Sequence, residues 1–162
     1  WSQNVVAARA LDPDSDRTKG YYQWASMAWY ELATSGWDGA DSWGDRLLEL
    51  ADWMVNTHNV SKRSRNTAYA FEGLIPAWEI ARQRGDTKRQ AALNCVIHEG
   101  LAKLTSWQVG HPMAITPLAK AAEDPLAVGG VQNHASEAPL RIDVVQHQMH
   151  AVIMAREWFL PE

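Results

Sequence analysis

The sequence predicts an all-α protein, and three observations carry that expectation. Apolar residues recur at helical spacing in five separate stretches. Two of these, "AWYELATSG" (28–36) and "AWEIARQRG" (77–85), place an Ala-Trp pair ahead of a glycine at the same interval. No segment reads as a strand, because "AITPL" and "LAVGGV" are short and broken by proline and glycine.

Taken in order, the first helix is expected over Tyr21–Thr34, closing at Gly36, and the second over Ser42–Thr57 with Ser42 as its N-cap. A third is expected over Asn66–Arg84. It is capped by Asn66, stopped by Gly85 and bent at Pro76. The fourth runs from near Asp86 to about Thr105, and the fifth from about Leu140 to Phe159.

The chain has 162 residues, 46% hydrophobic and 21% charged, which suits one domain with its own core over 1–162. It begins at Trp1 without a methionine and is expected to be a portion of a longer polypeptide, so its cellular location is not readable. No apolar run approaches the roughly 20 residues of a membrane-spanning helix, so no membrane association is expected. A formal net charge of -4 argues against nucleic acid as a partner, since phosphate-binding surfaces carry a basic excess. The single cysteine, Cys95, permits no internal disulfide and reads as a small buried hydrophobe in "ALNCVIHEGL". Nine tryptophans serve a core or offer flat platforms to planar ligands.

Trp29 and Trp78 each stand seven residues before a glycine and are 49 residues apart. Each copy leads through a short connection into another amphipathic helix, so the repeating unit is a helical hairpin. "MAREW" (154–158) against "MAWYE" (27–31) starts a third. These hairpins of about 50 residues, with "NTAYAFEGLIPAWEIARQRGD" (66–86) closing on Arg-Gly-Asp and a Gly-Gly loop before the next inner helix, resemble the six-hairpin (α/α) toroid superfamily. That superfamily includes glycoside hydrolases, polysaccharide lyases and sugar epimerases. The resemblance implies helical hairpins forming part of such a toroid, completed by further hairpins, a companion domain or a homo-oligomer. It also implies a saccharide ligand at the segments that enter the inner helices.

Polar residues concentrate in those entries: "DSDRTKGYY" (14–22), "SKRSRNTAYAFEG" (61–73) and "GGVQNHASEAPLRIDVVQHQMH" (129–150). The second holds Arg65, Asn66, Tyr69 and Glu72, the last three sharing one helix face. Glu72 lies in an apolar run, so its burial calls for a partner, with Arg65 and Arg141 as candidates. The third holds Gln132, Asn133 and His134 in a loop, then Arg141, Asp143, His147 and His150. Asp143 and His147 are four apart, a spacing that orients a carboxylate toward an imidazole. Arg141 and Asp143, two apart, do not share a helix face. The same residues are open to three readings: a ligand-facing cluster, a structural network or a metal site, although Asp-x3-His-x2-His is not a diagnostic metal spacing. A long irregular connection before the fifth helix adds Trp107, Gln108 and His111, with Trp107 either a platform or a core residue.

Two chemistries are therefore expected of a sugar-processing site, with no cofactor and no metal. Hydrolysis needs two carboxyl groups, for which Glu72 and Asp143 are the candidates. Elimination or epimerisation at a uronic acid needs cations or amides to neutralise the carboxylate and a Tyr or His to move the proton. Arg65, Asn66, Tyr69, Arg141 and His147 supply that set, and the basic entries favour an anionic saccharide. The candidate catalytic residues are thus Tyr69, Glu72, Asp143 and His147. Candidate substrate contacts are Arg65, Asn66, Trp107, Gln108, His111, Gln132, Asn133, His134, Arg141 and His150. The rival expectation is a non-catalytic helical-repeat module that binds a glycan or a protein and exposes apolar faces on its first or last helix.

Overall fold

A computed structural model of the chain describes residues 16–116 and 124–159. Within them the protein is all-α. Five helices form its body: α1 (Asp16–Thr34), α2 (Ala40–Asn56), α3 (Ala68–Gln83), α4 (Thr87–Ser106) and α5 (Ile142–Met154), which runs on into a π-helical turn at Ala155–Phe159. The Asp14–Ser15 start of the first polar entry and residues 117–123 of the long connection lie outside the described residues.

Helix α3 is the hub. It packs on α1, α2, α4 and α5 at once, while α1 pairs with α2 and α4 with α3 as successive hairpins. Its sequence explains the position: from Ala70 to Ala81 every residue is buried. A helix buried on all sides must be surrounded by neighbours, and its mostly apolar residues suit that place. Two glycines let those neighbours close in. A Cβ on Gly73 would meet the Ser26 hydroxyl of α1 at 2.5 Å, and one on Gly100 of α4 would lie 1.8 Å from the Phe71 ring.

Charges fasten the outer helices. Asp86 caps α4 by accepting the Arg89 N–H at 3.0 Å, and the Arg89 guanidinium reaches both Asp86 and Asp52 of α2. Arg84 donates to the Asp45 carboxylate at 2.6 Å and to the Asp41 carbonyl at 2.7 Å, tying the end of α3 to the start of α2.

Several local expectations change. Asp16–Gly20, which lie ahead of the expected Tyr21 start, already belong to helix α1, because Lys19 and Gly20 add no apolar signal yet continue the turn. Gly39, at φ 83°, precedes α2; the Ser42 hydroxyl donates back to the Gly39 carbonyl instead of capping. Asn66 stands one residue before the cap position of α3 and accepts the Ala68 N–H at 2.8 Å. Cys95 is exposed, on the outer side of α4.

The sequence also concealed a small hairpin. Strands β1 (Gln132–His134) and β2 (Glu137–Leu140) pair antiparallel. Main-chain bonds stitch this hairpin and its glycine lead-in to the helices: Asn66 N–H to the Asn133 carbonyl (2.8 Å), Val109 N–H to that of Gly130 (2.8 Å), and Gln132 N–H to that of Trp107 (3.2 Å). A second, smaller core of Trp107, Val131 and Val144 sits beneath it. The hairpin therefore holds residues 131–141 against the entry to α3 before the chain turns into α5.

Candidate active site

A polar groove opens between α1, the entry to α3, the hairpin and the first turns of α5. It consists of two adjoining cavities of about 330 Å³ and 370 Å³ that share Lys19, Asn66, Tyr69, Asn133 and Arg141. The first continues to Gln23, Asp143, Val144 and His147. The second continues to His58, Arg63, Ser64, Arg65 and Thr67. Four cations, Lys19, Arg63, Arg65 and Arg141, thus face one concave surface of an acidic chain.

Tyr69 is fixed by a chain of donors. The Arg63 guanidinium, which can only donate, gives a hydrogen bond to His58 Nδ1 at 3.1 Å and another to the His58 carbonyl at 2.9 Å. His58 is therefore neutral with its proton on Nε2, and that N–H donates to the Tyr69 hydroxyl at 3.0 Å. Burial, reinforced by the Arg63 and Lys19 charges, holds the His58 imidazole down to about 4. Its ring also stacks on Trp53 at 5.2 Å. Burial pushes the Tyr69 phenol up to about 12, against the pull of Arg63. At neutral pH Tyr69 consequently keeps its proton, and with its oxygen already accepting from His58 it can donate that proton into the groove.

A second cluster is built on Glu72, whose side chain is fully buried. His147 Nδ1 lies 2.8 Å from one carboxylate oxygen and His150 Nδ1 2.7 Å from the other. Burial raises the carboxyl above its ordinary value, while hydrogen bonds and charge from His150 and His147 oppose the rise. Gln23 of α1 places its amide nitrogen 3.1 Å from the same His147 nitrogen. With Nδ1 occupied, Nε2 is the nitrogen His147 offers to a ligand.

These partners correct two expectations. Glu72 is matched by two imidazoles on α5 and by neither arginine, because Arg65 stands 3.7 Å from Glu137 and Arg141 pairs with Asp143. Asp143 does not orient His147. Arg141 precedes the helix in extended conformation, so its side chain escapes the helical spacing and grips both Asp143 oxygens, at 3.0 and 2.5 Å. This pairing holds the Asp143 carboxyl below its usual range.

The groove thus gathers Arg65, Asn66, Tyr69, Asn133, Arg141, Asp143 and His147, with Glu72 directly behind and His150 beyond it. Other candidates lie elsewhere. Trp107 is buried in the small core with Lys103 over its ring at 5.0 Å, which removes it as an open platform. Gln132 is buried between Thr116 and the Glu137 carbonyl. Gln108 donates to the Gly129 carbonyl at 3.1 Å. His111 accepts the Met113 N–H, and His134 the Ser136 N–H, each closing its own loop. Three of these residues are polar because they pin irregular backbone, which the sequence cannot distinguish from ligand contact. Gln23 and His58 went unrecognised. Gln23 shares a helix face with Lys19, four residues earlier, whereas His58 follows a helix end and carries no signal of its own. Among the described residues no group of three or more His, Cys, Asp or Glu side chains is disposed to hold a metal ion.

Comparison of the chain with protein-family models, curated proteins and solved structures finds no match.

Proposed function

We propose that the groove binds an anionic saccharide and acts on it by proton transfer, with His147 as base and Tyr69 as acid. The observation that carries this reading is the placement of Tyr69 and His147 on one cavity among Lys19, Arg63, Arg65 and Arg141. A uronate suits such a surface. The cations neutralise its carboxylate and so stabilise the negative charge that develops when the neighbouring carbon loses its proton. His147 Nε2 takes that proton. Tyr69 then protonates either the leaving oxygen, giving elimination, or the opposite face of the carbon, giving an epimer. The His58 N–H stabilises the phenolate that results.

Hydrolysis by paired carboxyl groups fits less well. It needs one carboxyl that donates a proton and another that meets water or the sugar. Glu72 is fully buried with both oxygens engaged, and Asp143 is clamped by Arg141. The hairpins α1–α2 and α3–α4, with α5 opening the next, are in keeping with a portion of an (α/α) toroid whose inner-helix entries rim the ligand.

The reading is tested by offering oligosaccharides of uronic acids and their neutral counterparts, with calorimetry for binding and NMR for products. Salt-sensitive binding confined to the uronates, with an unsaturated or epimerised product, is expected; equal binding of neutral sugars, or none of either kind, contradicts it. A second reading, a non-catalytic glycan- or protein-binding module, is favoured by the open apolar side of α5, where Ile142, Met149 and Ile153 stand exposed. It predicts binding with no product.

A further inference from the structure

We propose that His147, Glu72 and His150 form a proton relay that links the groove to solvent outside it. The inference rests on the reading of His147 as the base and concerns how the positive charge that base acquires is passed on. His147 lines the groove, whereas His150 does not, and the His150 side chain is 40% exposed. Between them stands one fully buried carboxyl group that touches a different imidazole with each oxygen, at 2.8 and 2.7 Å. A carboxyl is suited to such a path because it accepts a proton on one oxygen while releasing one from the other.

The spacing on α5 produces the arrangement. Positions 147 and 150 are neighbours on one helix face, and Glu72 on α3 reaches between them. A carboxylate that only oriented His147 would need one imidazole partner. The second imidazole carries the connection outward, to a side chain that water can reach.

The proton balance closes. In the resting state Glu72 is the neutral acid: its Oε1–H donates to His150 Nδ1, and its Oε2 accepts from His147 Nδ1–H. Burial, which raises the Glu72 carboxyl, supports that state. When His147 Nε2 takes the proton from the ligand, the C–H electron pair stays on the ligand. The His147 Nδ1 proton moves to Oε2 as the Oε1 proton moves to His150 Nδ1, and His150 releases its Nε2 proton to water. All three groups end neutral, and one proton has passed from groove to solvent. The contact of Gln23 with His147 Nδ1 fits a path of this kind. Its amide N–H faces a deprotonated Nδ1, and a half-turn of the amide presents its oxygen to Nδ1–H, so both proton positions are accommodated.

Two measurements test the relay, and the first needs no turnover. The groups that set the ionisation of Glu72 are its burial and the two imidazoles. Around His147 stand Glu72 and, in the groove, Lys19, Tyr69, Arg141 and Asp143. Ring nitrogen NMR of the wild-type protein at neutral pH should show His147 and His150 each exchanging between the Nδ1–H and Nε2–H tautomers. Glu72→Gln, which cannot shuttle a proton between its two terminal atoms, should leave each ring in one tautomer. A single fixed tautomer at both residues in the wild type overturns the relay, whatever the ligand. The second measurement uses His150→Gln, which can still hydrogen-bond Glu72 but cannot pass a proton on. Its kcat should fall at least tenfold with KM within twofold, and imidazole in the buffer should restore it; a kcat within twofold of wild type, or no rescue, overturns the relay. Absence of turnover in the wild type would instead count against the proposed chemistry, leaving the tautomer measurement to decide the relay.

Discussion

His58 donates its Nε2–H to the Tyr69 hydroxyl at 3.0 Å, and the guanidinium of Arg63, bound to His58 Nδ1, dictates that direction. One interaction between neighbours eleven residues apart therefore decides the chemistry available to Tyr69. A tyrosine whose oxygen accepts from a neutral imidazole is poised to give up its own proton. Without Arg63 either tautomer of His58 would be possible, and Tyr69 would lose its fixed role.

Tyr69→Phe is expected to lower kcat on a uronate substrate by about 10²–10⁴-fold, the usual contribution of a positioned acid. Affinity should stay within a few fold, because the cations that hold the carboxylate remain. Steady-state kinetics beside calorimetry on the same variant separates the two quantities.

The neutral His58 makes stability depend on pH. Its folded-state value of about 4 lies below the ordinary 6.5, so the unfolded chain takes up the proton first as pH falls. The associated stability is fully present above about pH 6.5 and is lost between there and about pH 4. Melting temperatures of wild type and His58→Gln over that range should converge as pH drops; parallel curves would show that His58 has no part in the loss.

Glu72 works in the opposite direction. Its folded value is raised, so its contribution is present below the unfolded value of 4.5 and declines as pH rises through the folded value. Glu72→Gln removes that decline. The melting temperature of the variant relative to wild type should therefore increase from pH 4 toward neutrality. A constant difference across the range would mean that the carboxyl has an ordinary value.

Packing of α4 on α3 depends on Gly100, where any Cβ would sit inside the Phe71 ring. Gly100→Ala should destabilise the fold by about 1–3 kcal/mol, the usual cost of overpacking. Chemical denaturation of Gly100→Ala with and without Phe71→Leu checks it, since a smaller side chain at 71 should recover part of the loss.

Much of this arrangement was legible in the sequence, and the parts that were not have physical reasons. Helical periodicity gave five helices because each buries an apolar face. The entries to α3 and α5, both rich in polar residues, lie side by side, and Asn66, Tyr69, Asn133, Arg141 and His147 line one groove. Partners were harder to read. A buried glutamate in "FEGLIPAW" calls for a counterpart, yet spacing along the chain cannot show that α5 delivers two histidines to it. The Asp143–His147 interval held for an isolated helix and failed because Arg141, outside the helix, claimed the carboxylate first. Trp107 and Gln132 carried the same residue types as ligand contacts while serving the hairpin and its small core.

The electrostatic part of the account is open to a separate check. Lys19→Ala and Arg141→Ala should each weaken binding of an anionic oligosaccharide and flatten its dependence on salt. Binding isotherms at several ionic strengths measure both effects. A neutral saccharide should be indifferent to either change.

The most direct measurement is exchange of the carbon-bound proton beside the substrate carboxylate with solvent deuterium, followed by NMR on a uronate oligosaccharide in heavy water. The account predicts deuterium at that carbon with the wild-type protein and none with His147→Gln. Bound ligand that keeps its proton in the presence of wild-type protein would contradict proton transfer in this groove and leave a binding module in its place.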